Sequence, residues 1–130
     1  ATDEVARQRI ETAAAALSER VVPADSALRN RIHVAAVFAC NFTNHLLARA
    51  TRLLKEADID AGLLHPLIRG TLDKALAVAD PATVQTGPAA RHDEVTLRRH
   101  LALLAGEQDP VYTAIYQLLS NSIWETSKKT

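Results

Sequence analysis

The sequence has no methionine, a single cysteine and only 4% aromatic residues, although 48% of it is apolar. A core must therefore be built from Leu, Ala, Val and Ile. One cysteine cannot form an internal disulfide, which fits a reducing compartment. No charge of either sign is in surplus, because fifteen basic residues balance fifteen acidic ones. Nucleic acids and anionic membrane surfaces select proteins with a cationic excess, so neither is expected as a partner. No apolar run approaches the ~18 residues that a membrane helix needs. The opening "ATDEVARQRI" lacks the basic-then-apolar layout of a secretory leader. A cytoplasmic location is expected. The four glycines, Gly62, Gly70, Gly87 and Gly106, form no Gly-x-Gly and no phosphate-cradling loop. Zinc-ligand spacings and nucleophile motifs are absent too. No metal is expected, and the chain lacks the parts of a self-sufficient enzyme.

What is present reads as helix throughout, in a length that suits one domain. Val5 to Arg20 contains good helix formers, with Ile10, Ala13, Ala14 and Leu17 at helical spacing. Pro23 and the β-branched pair Val21–Val22 break it. Asp25 or Ser26 can cap a second helix that meets no Gly or Pro until about Ala57, long enough to act as a spine and an oligomer contact. "DIDAG" is a turn. The next helix carries Ile68, Leu72, Ala75, Leu76 and Ala79 on one face, and Pro66 marks its start or a kink. Asp80–Pro81 and Asp109–Pro110 each read as a cap followed by proline; the first opens a short turn, the second the last helix. That helix has Ile115, Leu118, Leu119 and Ser122 as its expected inner stripe. Asp93 is a plausible cap for "EVTLRRHLALLAG", which Gly106 ends. The tail "TSKKT" is expected to fray.

The stretch "VFACNFTNHLL", Val37 to Leu47, puts polar groups in the middle of the spine. If each residue advances ~100°, His33, Cys40, Asn44 and Thr51 fall near one line, with Asn41 beside it and Phe38 and Phe42 opposite. One reading is structural: the amides satisfy backbone ends of neighbouring helices or face water. The other is that His33, Asn41 and Asn44 line a cleft for a polar ligand, since polar groups buried without partners are costly. Cys40 has no adjacent base and reads as a small buried hydrophobe. In "QTGPAARHDE", Gln85 to Glu94, Gly87–Pro88 stiffens a loop decorated by Thr86, Arg91, His92 and Asp93. This is either a turn with a helix cap or, through Thr86 and Arg91, an anion or carboxylate contact. His100 reads as a satisfied structural histidine. Trp124 is expected to pack on the first helix or a partner chain.

Taken together, "HVAAVFACNFTNHLL", "LLHPLIRGTLDKAL", "QTGPAARHD" and "RRHLALL" resemble the C-terminal half of the Rossmann-like NADP oxidoreductases. That half is catalogued as a domain of unknown function and is similar to the C-terminal helical domain of 6-phosphogluconate dehydrogenase. The likeness runs from about Ile32 to Ile123. It implies an all-α fold of five or six helices around one long central helix. It also implies that residues 1–25 are a remnant of, or linker from, a preceding Rossmann half, and that 26–130 form a substrate-binding and dimerisation domain.

In the related hydroxyacid dehydrogenases the long helix supplies a Lys and an Asn one turn apart. Asn41 matches that Asn in kind, whereas Val37 stands where the Lys would be, and Gly70–Thr71 replaces the usual Glu-Thr. The resemblance therefore makes His33, whose ordinary pKa is near neutrality, the general acid/base candidate beside Asn41. Asn44, Thr86 and Arg91 become substrate-binding candidates. NADP would be bound mainly by a Rossmann half outside this chain, with no cofactor expected for the chain alone. The expected partners are a second copy, that Rossmann domain and a small-molecule substrate. The competing reading is a non-catalytic helical module whose polar strip is a subunit interface.

Overall fold

The computed structural model describes residues 2–17 and 25–128. Among them every regular element is helical: α1 (Thr2–Leu17), α2 (Ser26–Ala36), α3 (Thr43–Glu56), α4 (His65–Leu76), α5 (Glu94–Leu104) and α6 (Val111–Ser127). The all-α expectation holds. Between α2 and α3 lies a π-helical turn, Val37–Phe42, and two 3-10 turns, Ala61–Leu64 and Pro81–Val84, precede α4 and follow it. The break expected at Val21–Pro23 and the last two residues of the tail lie outside the described residues. Residues 1–47 and 48–130 form two compact units.

In the first unit, Arg7 ties α1 together by reaching Glu4 at 2.6 Å and Glu11 at 2.7 Å, one turn away on either side. Asp25 caps α2 as expected, its carboxylate accepting from the Leu28 N–H at 2.8 Å. No described residue of this unit is buried; Ile32, Val34 and Phe38 are at least half exposed.

In the second unit α3 stops by a change of backbone hand. Asp58 takes φ +58°, its N–H bonds to Lys55 O at 3.0 Å and the Ile59 N–H reaches back to Leu54 O at 2.9 Å. That pair of bonds is a Schellman motif with aspartate at the position usually held by glycine. Asp60 then caps the first 3-10 turn through the Gly62 N–H, and Pro66, second in α4, starts that helix rather than kinking it. Asp80 caps the turn opened by Pro81. Asp93 caps α5 through both the N–H and the hydroxyl of Thr96, and Asp109 accepts from the Val111 N–H at the start of α6. Helix α5 ends at Leu104, before Gly106.

Among the described residues the buried hydrophobic ones are Ala89 from the 85–93 loop, Leu104 from α5 and Tyr112 from α6. Of the inner stripe expected for α6, Ile115 is half-buried, but Leu118 is 72% exposed, and Leu119 and Ser122 are exposed too. The large inward side chains are Tyr112, Ile115, Tyr116, Ile123 and Trp124. A strict i, i+3, i+4 count placed the stripe about one step round the helix. On α4, Ile68 and Ala75 are half-buried, while Leu72 and Leu76 are exposed.

Candidate functional site

His33 sits in the last turn of α2, Asn41 within the π turn and Asn44 in the first turn of α3. All three are exposed, and none has a side-chain hydrogen bond among the described residues. The structure thus brings them onto one short helical stretch, open to solvent. A π turn inserts one extra residue into the helical ladder and is frequent at functional sites. It rotates everything beyond it by roughly one residue's step, ~100°. The straight line through His33, Cys40 and Asn44, which assumed a uniform helix, therefore does not continue through the turn. The Val37 N–H is shared between the carbonyls of His33 and Val34 where the ladder changes. Phe38 and Phe42 meet edge to face at 5.0 Å and stay exposed. Cys40, expected to be buried, is exposed, because the π turn occupies a solvent-facing stretch.

In the second unit the 85–93 loop is held by its backbone. Gly87 takes φ +105°, a region that residues with a Cβ rarely enter, and its carbonyl accepts from the Arg91 N–H at 3.3 Å. The N–H of Asp93 bonds Pro88 O at 2.9 Å and that of His92 bonds Ala89 O at 3.2 Å. Thr86 and Arg91 project from this frame and are exposed. Asp93 serves α5, and its carboxyl is held below the usual carboxylate range, first by the Thr96 hydroxyl and then by the Thr96 N–H.

His92, at φ +54°, stacks on Trp124 with ring centroids 4.0 Å apart and planes within 13°. Its Nε2 lies 2.7 Å from Ser127 Oγ, whose own proton goes to Trp124 O at 2.8 Å. Because that carbonyl can only accept, the imidazole is the donor to Ser127. Trp124 thus packs on His92 within the second unit.

Several groupings join residues too far apart in sequence for any spacing rule to connect. His100 Nδ1 lies 2.7 Å from the Tyr116 hydroxyl, so His100 is satisfied as expected, though exposed. Arg49 pairs with Asp109 at 2.6 Å and covers the Tyr112 ring at 5.0 Å. Glu56 hydrogen-bonds Glu107 with Arg52 nearby, beside a cleft of about 340 Å³. Nothing in the sequence flags these three pairings, because each joins residues from separate elements.

Among the described residues no group of three or more His, Cys, Asp and Glu side chains could hold a metal, and no helix is long and apolar enough to cross a membrane. Among the described residues no Gly-rich turn precedes a helix N-terminus where a pyrophosphate could sit.

Compared with known proteins, residues 1–123 match the model of a domain of unknown function, DUF2520. A crystal structure of a "putative NADP oxidoreductase" from Bacteroides fragilis is 46% identical, with a TM-score of 0.78. The match takes in 88% of this chain and 43% of that one, so the chain spans less than half the length of that protein. No curated protein matches.

Proposed function

Because the chain belongs to the DUF2520 family, we propose that it is the helical substrate-binding and dimerisation half of an NADP-dependent oxidoreductase that transfers hydride to or from a small substrate. Residues 1–25 would then be the remnant of, or link from, the preceding half, and 26–130 the helical domain itself. The observation that carries this reading is the 46% identity, over 88% of this chain, to under half of a protein named as an NADP oxidoreductase. NADP would be held mainly by a Rossmann half outside this chain, in keeping with the missing glycine-rich turn.

In this reading His33 holds and moves the proton at the reacting oxygen or nitrogen, and Asn41 fixes that atom through its amide. Asn44 adds a second hydrogen-bonding group on the same helical stretch. Their exposure, and a π turn at this point, support a role outside the fold's own packing. Thr86 and Arg91, on a loop stiffened by its own backbone bonds, suit a substrate carboxylate or phosphate. Dimerisation is supported by large apolar side chains left in the open, among them Leu67 at 68% and Leu76 at 84% exposure on α4.

The test uses the chain joined to a Rossmann half, assayed by NADPH oxidation against carbonyl and imine substrates. His33→Ala and Asn41→Ala should abolish turnover with the melting temperature nearly unchanged. The competing reading, a non-catalytic dimerisation module, gains if these changes instead convert dimer to monomer in size-exclusion chromatography. Micromolar binding of NADPH to the 130-residue chain alone would refute the assignment of the cofactor to the other half.

A further inference from the structure

The π turn Val37–Phe42 resets which side chains share a face of the helical run from α2 into α3. With one extra residue in the ladder, a residue beyond the turn takes the angular place of its predecessor in a uniform helix. His45 stands twelve residues after His33, which the inserted residue reduces to eleven steps of ~100°. Those steps bring His45 back to within roughly 20° of His33. Val37 and Asn41 fall between the two, so residues spaced four apart run along one line. Asn44 is turned from that line by roughly 80° and stands at its edge. The neighbouring line, Val34, Phe38, Phe42 and Leu46, follows the same rule one residue on. Its Phe38–Phe42 contact at 5.0 Å fits two side chains on one face. Asn41 and His45 are exposed and Val37 is half-buried, all within the first unit.

Helical side chains lean toward the N-terminus of their helix. The His45 ring therefore leans back over the turn that carries Asn41, ~6 Å away along the axis, whereas His33 lies two turns off on the other side. A small substrate held at Asn41 meets His45 on one flank and the Val37 side chain on the other. From Ser26 to Leu47 the sequence has no Asp or Glu. An imidazole N–H beside the Asn41 amide suits an oxygen that accepts a hydrogen bond. We propose that His45 is a further substrate-binding residue, which recognises an oxygen on the carbon next to the reacting one. Val37 faces the apolar side of the same substrate. The inference rests on the oxidoreductase reading for a reacting atom at Asn41. It adds a substrate class to that reading: a small carbonyl or imine compound oxygenated at the adjacent carbon.

Hydroxyacetone and butan-2-one have nearly the same shape and differ by a hydroxyl in place of a methyl, which makes them matched probes. With the chain joined to a Rossmann half, NADPH oxidation should favour hydroxyacetone in kcat/KM. His45→Leu should remove roughly three- to tenfold of that preference, the effect of one neutral hydrogen bond, and should do so through KM. His45→Gln, which keeps an N–H, should restore part of it. In the 130-residue chain, labelled with 15N and 13C, hydroxyacetone should shift the His45 ring and Asn41 amide signals saturably, and butan-2-one should not. Such shifts without any NADPH oxidation would refute the oxidoreductase reading and leave the His45 contact standing. Turnover with no preference for hydroxyacetone, or a preference that His45→Leu leaves intact, would overturn the proposal. So would a loss confined to kcat, which would give His45 the proton step in place of a binding role, or the absence of both turnover and saturable shifts.

Discussion

Arg49 Nη1 meets Asp109 Oδ2 at 2.6 Å across sixty residues of sequence, joining α3 to the residue that caps α6. The Asp109 carboxyl is held below the usual carboxylate range, first by the Val111 N–H and then by Arg49, and Asp93 is lowered in the same direction by Thr96. A carboxyl with a depressed folded pKa contributes stability that is present above its unfolded pKa and lost as pH falls through the folded one. The melting temperature should therefore drop as pH is taken from about 5 downward, below the ordinary aspartate pKa of ~3.9. Asp109→Asn should flatten that decline, because asparagine can still accept from Val111 but has no charge to lose. Thermal melts followed by circular dichroism at stepped pH check this; an unchanged acid slope in Asp109→Asn would refute it.

Glu107 behaves oppositely. Its carboxyl is held above its ordinary value, first by the hydrogen bond with Glu56, then by burial and the Glu56 charge, with Arg52 opposing. A raised folded pKa means that the contribution is present below the unfolded value and is lost as pH rises through the folded one. Glu107→Gln, which keeps a donor for Glu56 without a second negative charge, should raise the melting temperature at pH 7 and leave it nearly unchanged at pH 4. Equal effects at both pH values would mean that repulsion in this pair is not what the variant relieves.

Two backbone positions invite opposite substitutions. Asp58 ends α3 at φ +58°, where a Cβ costs about 1–2 kcal/mol relative to glycine. Asp58→Gly should stabilise the protein by up to about 1 kcal/mol, reduced by glycine's greater freedom in the unfolded chain. Gly87 lies at φ +105° with no atom within 4 Å of an added Cβ, so Gly87→Ala meets no clash, only conformational strain. A loss of about 1–3 kcal/mol is expected, read by denaturant titration at constant m-value. Stabilisation by Gly87→Ala would show that the loop accommodates another backbone conformation at no cost.

These contrasts mark what could be read from the sequence. Caps were legible because they are local: Asp25, Asp80 and Asp93 each sit two or three residues before the N–H they accept from. The proline at the second position of α4 and the turn after α3 were legible for the same reason. The π turn was not, since Val37–Phe42 contains no Gly or Pro and reads as uninterrupted α-helix; the shared Val37 N–H appears only in coordinates. Leu118 and Leu119 failed as core positions because periodicity says which residues share a face, not which face is covered. The pairs Arg49–Asp109, His92–Trp124 and His100–Tyr116 were invisible because each joins separate elements. The candidates His33, Asn41 and Asn44 were proposed from their polarity and a family resemblance. Their placement on either side of and within a π turn followed from neither.

Tyr116 offers the sharpest check on one of those hidden pairs. Its hydroxyl lies 2.7 Å from His100 Nδ1 and the two rings are edge to face at 5.7 Å. The phenol pKa is raised, chiefly by burial, while a hydrogen bond from the Ser120 side chain lowers it in part. The phenol's neutral form is thus favoured by folding, so its contribution is present below the unfolded pKa of ~10 and lost as pH rises through the folded value. With two tyrosines in the chain, Tyr112→Phe leaves Tyr116 as the sole source of the tyrosinate absorbance near 295 nm. Its ionisation should then fall above that of free tyrosine. Since burial is the leading cause, His100→Asn should leave the midpoint raised. Ser120→Ala, by removing the donor that stabilises the phenolate, should push it higher still. A midpoint at the free-tyrosine value, or one that Ser120→Ala lowers, would mean that the hydroxyl is solvated and not fixed between α5 and α6.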